Sequence, residues 1–102
     1  MMRGEWHLRD WEQEYWIRKM EGYIRDLCRN TNKIDLTKED INPFQVREIL
    51  ELLGWELDEG IETNGWEQDM WMRFYSPHYY HRLVVFSCGM TFSLEMYWED
   101  DV

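Results

Sequence analysis

The stretch Trp55-Glu-Leu-Asp-Glu-Gly-Ile-Glu-Thr-Asn-Gly-Trp-Glu-Gln-Asp69 decides how the second half of this chain is read. It holds Glu56, Asp58, Glu59, Glu62, Glu67 and Asp69, with no Lys or Arg among them. Asn-Gly is the preferred pair for a two-residue type I′ hairpin turn. A turn at Asn64-Gly65 would pair Trp55 with Phe74, Leu57 with Met72 and Ile61 with Gln68 on one face. The other face would pair Glu56 with Arg73, Asp58 with Trp71, Gly60 with Asp69 and Glu62 with Glu67. One assumption about the turn sorts apolar from polar, because a strand alternates its side chains with a period of two.

A second hairpin follows the loop at 76–80. With Gly89-Met90 as its turn, Val85 meets Leu94, Leu83 meets Met96 and Ser87 meets Phe92. On the other face Phe86 meets Ser93, Val84 meets Glu95 and Arg82 meets Tyr97.

Upstream the period is helical. Trp6, Trp16, Ile17, Met20, Ile24, Leu27 and Cys28 form an apolar stripe from Glu5 to Arg29. Glu5/Arg9, Glu14/Arg18 and Glu21/Arg25 place an acid four residues before a base, the favoured order on an exposed helix face. Gly22 interrupts this helix and predicts a bend or a close contact. Thr37 to Asp40 reads as a short helical turn. Asn42-Pro43-Phe44-Gln45 is a helix start, with a cap, a proline at the first position and a capping-box glutamine. Val46, Ile49, Leu50 and Leu53 follow on one face, and Gly54 closes the helix.

The expected fold is therefore α+β: two N-terminal helices, then a four-stranded antiparallel meander, in one domain spanning 1–102. Its core face carries Trp55, Leu57, Met70, Met72, Phe74, Leu83, Val85, Phe92, Leu94 and Met96. The second sheet face carries Trp71, Tyr75, Val84, Phe86 and Tyr97 with Arg73, Arg82 and Glu95. Either the first helix covers this face, or it stays open as an aromatic patch bordered by carboxylates.

The formal charge is −10, and the acids are concentrated at 55–69 and at Glu99-Asp100-Asp101. Such a chain is repelled by nucleic acid and anionic membrane and is steered toward basic partners. Two cysteines, Cys28 and Cys88, make no disulfide framework, and there is no signal-like or membrane-length apolar run, so the expected compartment is the cytoplasm. Cys28 reads as core, and Cys88 as exposed at a turn.

Catalytic signatures are absent from the sequence: no nucleophile elbow, no phosphate-binding glycine loop, no Cys-x-x-Cys pair. His78, His81 and Cys88 fall short of the four ligands a structural zinc wants. The expectation is a non-enzymatic protein with no metal and no cofactor. Partner binding is assigned to Glu56, Asp58, Glu62, Glu67 and Asp69, with Trp66 and Trp71 as aromatic anchors.

In size, charge, aromatic load and the acidic segment Glu56 to Asp69, the chain resembles the small acidic anti-CRISPR proteins that phages direct against bacterial defence. The resemblance implies a stoichiometric inhibitor in the bacterial cytoplasm. It would bind a Cas effector or other nuclease at its Arg- and Lys-rich DNA-reading surface, by DNA mimicry in the extreme case. An immunity protein or antitoxin against a basic nuclease toxin would use the same physics. A homo-oligomeric module, dimerising through the long helix and the aromatic face, is the third alternative.

Overall fold

The computed structural model describes residues 8–62, 70–78 and 80–98. The chain runs α1 (Asp10–Arg29), β1 (Lys33–Asp35), α2 (Pro43–Leu52), β2 (Glu56–Glu62), β3 (Met70–Tyr75), β4 (His81–Cys88) and β5 (Thr91–Trp98). The fold is α+β. The sheet has five strands, not four, in the order β1-β5-β4-β3-β2, and all neighbours are antiparallel. The expected succession of helices then strands is corrected: β1 lies between the helices and pairs with the last strand.

α1 begins at Asp10. The Arg9 backbone N–H donates to Glu12 Oε1 at 2.9 Å, satisfying a donor just outside the helix. The expected residues Glu5 to His7 lie outside the described range. Trp16, Met20, Ile24 and Leu27 are buried, as the stripe requires. Cys28 is not: it sits at the stripe's edge, exposed, with its thiol 3.8 Å from the Met96 sulfur. Thr37 to Asp40 forms a turn and no helix. Asp35 accepts from the Thr37 backbone N–H at 2.9 Å and from the Thr37 hydroxyl. Such short polar side chains offer the backbone an alternative to helix.

α2 starts as its sequence dictates. Gln45 N–H donates to Asn42 Oδ1 and Asn42 N–H to Gln45 Oε1, both at 2.9 Å. It ends on Gly54 at φ 98°. Trp55 N–H reaches the Leu50 carbonyl and Gly54 N–H the Glu51 carbonyl, at 3.0 and 3.1 Å, which is the Schellman arrangement.

Both helices lie on the same side of the sheet. Their buried residues form one cluster with Trp55, Met70, Met72, Phe74, Leu83, Val85, Leu94 and Met96, and Leu57 and Phe92 pack at its edge. The core face expected from alternation is the core face found. Helix cover of the other face is not: among the described residues no helix lies there.

The two hairpins differ in how they meet expectation. β4 and β5 pair throughout in the expected register, from His81 with Trp98 to Cys88 with Thr91. Gly89 sits in the connecting turn at φ 58°. β2 and β3 do not follow the register that a turn at Asn64-Gly65 requires. Glu56 pairs with Tyr75 and Leu57 with Phe74; after an irregularity at Asp58, Glu59 pairs with Arg73, Gly60 with Met72 and Ile61 with Trp71. Asn64 and Gly65 lie outside the described residues. Core contact explains the shift. Leu57 stays on the same face as Phe74. Past the bulge Gly60 comes to the core side, where a Cβ would stand 3.5 Å from Met72 Cγ.

Candidate interaction face of the sheet

Alternation along β3, β4 and β5 sends Trp71, Arg73, Tyr75, Arg82, Val84, Phe86, Ser93, Glu95 and Tyr97 to the face opposite the helices. Trp71, Tyr75 and Phe86 are half-buried, and Tyr97 is 38% exposed. Val84 is only 6% exposed although no described helix covers it. The patch is aromatic, with a sealed centre.

Its charges are organised in pairs. Arg73 lies 2.9 Å from Asp58 Oδ2 through Nη2, and its Nε donates to the same oxygen at 3.0 Å. The Arg73 guanidinium also stands 6.0 Å from the Trp71 ring centre. A hydrogen bond to Tyr97, and then the Asp58 charge, hold Arg73 above its ordinary pKa. On the next pair of strands Arg82 lies 5.7 Å from the Tyr75 ring centre. The Tyr75 hydroxyl donates to Glu56 Oε1 at 3.1 Å. That bond, and the Glu56 charge behind it, push the Tyr75 phenol up from its ordinary pKa. Ser93 Oγ donates to Glu95 Oε2 at 3.2 Å.

The register of β2 on β3 decides these partners. The expected register set Glu56 across from Arg73 and Asp58 across from Trp71. In the structure the carboxylate on Arg73 is Asp58, and Glu56 belongs to Tyr75. Two of the acids assigned to partner binding are thus tied to this face's own network.

Of the remaining expected site residues, Trp71 is on this face. Glu62 pairs through its backbone with Met70, not with Glu67; its side chain lies outside the described residues, as do Trp66, Glu67 and Asp69. Of the residues that sequence reasoning left out of the site, Phe86 pairs with Trp71, and Tyr75 and Tyr97 lie on either side of Arg82 further along the same face. Their signal was present in the alternation of β4 and β5.

The histidines and Cys88 do not converge. His81 opens β4 and Cys88 ends it, about 23 Å apart at the strand rise of ~3.3 Å. His78 is exposed in the loop before the strand. Among the described residues no three His, Cys, Asp or Glu side chains gather as metal ligands. No described helix is long and apolar enough to cross a membrane.

Compared with protein-family models, with curated proteins and with solved structures, the chain matches none.

Proposed function

We propose that this protein binds a basic protein partner through the open face of its sheet, and that the partner is a nucleic-acid-processing effector such as a Cas nuclease. The observation that carries the reading is the set of Trp71, Tyr75, Phe86 and Tyr97 on a sheet face that no described helix covers, in a chain of net charge −10. Aromatic side chains with fixed geometry are the usual anchors of protein interfaces, and Arg73, itself paired with Asp58, stands against the Trp71 ring. Preorganised anchors lose little entropy on binding. The acids supply long-range attraction to an Arg- and Lys-rich surface and speed encounter.

Contact of this kind is led by aromatics and steered by charge. Mimicry of DNA, with each acid in place of a phosphate, is the less favoured mode. Asp58 is already neutralised by Arg73, and the described part of the face sets Glu56, Asp58 and Glu95 against Arg73 and Arg82. Steering would then fall to Glu62, Glu67, Asp69 and the acidic chain as a whole.

The test is recovery of partners by tagged protein from lysates that contain Cas effectors and nuclease toxins, at low and high salt. The proposal expects one basic nuclease, held less well in high salt, lost on Trp71→Ala and weakened by Glu62→Lys with Asp69→Lys. The recovered nuclease should be inhibited at one-to-one stoichiometry. Recovery of nothing basic, or a complex indifferent to all these substitutions, overturns it.

A further inference from the structure

The solvent side of α1 carries a second feature, on the layer away from the sheet face. Asp10, Glu14, Arg18, Glu21, Arg25 and Arg29 are all exposed and follow one another at three- or four-residue steps, so they form one band along the helix. The order of signs has a particular symmetry. Read from the other end, every acid falls where a base stands: Asp10 against Arg29, Glu14 against Arg25, Arg18 against Glu21. An antiparallel copy of the same helix is therefore its charge complement along the whole band. The 20 residues of α1 give a contact about 30 Å long at 1.5 Å per residue.

Two more observations mark this band as a contact surface. Trp11 is 65% exposed and Tyr15 is 51% exposed, and with Glu14, Arg18 and Lys19 they line a shallow groove. A solvated charged helix gains nothing from an exposed tryptophan. Gly22 sits mid-helix on the same side, and a Cβ there would meet nothing within 4 Å. Nothing within the chain requires a glycine, although it costs about 1 kcal/mol against alanine in a helix. A small residue at that position lets another helix approach closely.

We propose that α1 is the interface of an isologous homodimer, two copies crossing antiparallel through this band. A two-fold axis near the middle of the helix seats Tyr15 of each copy beside Gly22 of the other. Each Glu14–Arg25 and Arg18–Glu21 contact then occurs twice, as two-fold symmetry demands. A single helix pair is a small interface, so the dimer is weak and salt-sensitive. This inference uses the helical layer and stands apart from the reading of the sheet face.

The experiment is sedimentation velocity over a wide concentration range, at low and high salt. The wild-type chain should pass from monomer to dimer as concentration rises, with the transition moved to higher concentration by salt. The E14R/E21R chain puts bases against bases, and the R18E/R25E chain puts acids against acids. Each alone should show a dimer dissociation constant raised at least about tenfold, from the loss and reversal of surface ion pairs. Mixed one-to-one, they should restore the dimer as a heterodimer. That restoration also shows that both variants are folded, since all four positions are exposed. A wild-type chain that stays monomeric at its highest soluble concentration overturns the proposal. So does a mixture of the two variants that remains monomeric, or variants that dimerise as the wild type does.

Discussion

The two hairpins of this sheet carry comparable sequence signals and obey them unequally. β4–β5 takes the register its turn predicts, residue for residue. β2–β3 carries the stronger turn signal, Asn64-Gly65, and its strands pair in another register. The difference lies in what each strand must bury. β4 is a central strand flanked on both sides, with Leu83, Val84 and Val85 all buried, so a slip would expose a core residue. β2 is an edge strand in which acids alternate with Leu57 and Ile61. The pairing found keeps Leu57 beside Phe74, sets Ile61 opposite Trp71 and not on the core side, and brings a carboxylate onto Arg73. Turn chemistry sets register where burial does not oppose it; at the sheet edge, local ion pairing and one glycine suffice to reset it.

The comparison breaks most forcefully at Phe74. It is fully buried in β3, the strand both hairpins share, with Leu57 on one side and Leu83 on the other. Phe74→Ala should cost about 3–5 kcal/mol in urea unfolding. A cost under about 1 kcal/mol would deny β3 its central place. Next, Gly89→Ala forces a side chain into a positive-φ turn and should cost about 1–2 kcal/mol, measured the same way. A neutral result would mean that the β4–β5 turn is not as tight as its register implies.

The reset register of β2 is sharpened by a double-mutant cycle. Arg73→Ala and Asp58→Ala should couple by about 0.5–1 kcal/mol, a modest value because both side chains are partly exposed. Arg73 with Glu56 should couple less. The expected register would reverse that order. Gly60→Ala should stabilise the chain by about 0.4–1 kcal/mol, since a methyl there meets Met72 at ordinary contact distance and the unfolded chain loses freedom. Destabilisation would place Gly60 elsewhere.

The smallest effect is electrostatic. The Tyr75 phenol is raised by its bond to Glu56, so it should ionise after an unperturbed tyrosine in an alkaline titration followed by absorbance. The sign is that of a raised group: the bond's contribution is complete below the ordinary tyrosine range and is lost as pH rises through the folded value. Glu56→Gln should bring Tyr75 down. An unchanged titration would separate the two side chains.

Much of this fold was legible in the sequence. The capping box at Asn42, Gly54 at the end of α2, the buried stripe of α1 apart from Cys28, and the inward residues of β3, β4 and β5 followed from spacing alone; in β2 Leu57 did, whereas Ile61 pairs with Trp71 of the other face. β1 escaped because three residues, Lys33-Ile34-Asp35, offer one apolar side chain to an alternation test. Only the step from half-buried Ile34 to buried Leu36 hinted at it. The placement of the helices was not legible either. Amphipathic stripes state that a helix covers something, not which of two faces it covers. The candidate site inherits both gaps. Trp71 was found, and its companions Tyr75, Phe86 and Tyr97 became a site once the helices were seen to share one layer. Glu56 and Asp58 took other partners because β2 pairs with β3 two residues out of the expected register.

On the proposed function the two exposed surfaces do different work, so the most direct measurement compares them. Trp71→Lys alters the sheet face, and Arg18→Glu alters the helix band, with both side chains reaching solvent. Each variant would be used, beside the wild type, to recover the basic effector from lysate at low salt. The account predicts that Arg18→Glu retains the effector and that Trp71→Lys loses it, with both chains folded by circular dichroism. Retention by Trp71→Lys, or loss on Arg18→Glu alone, would contradict the assignment of partner binding to the open sheet.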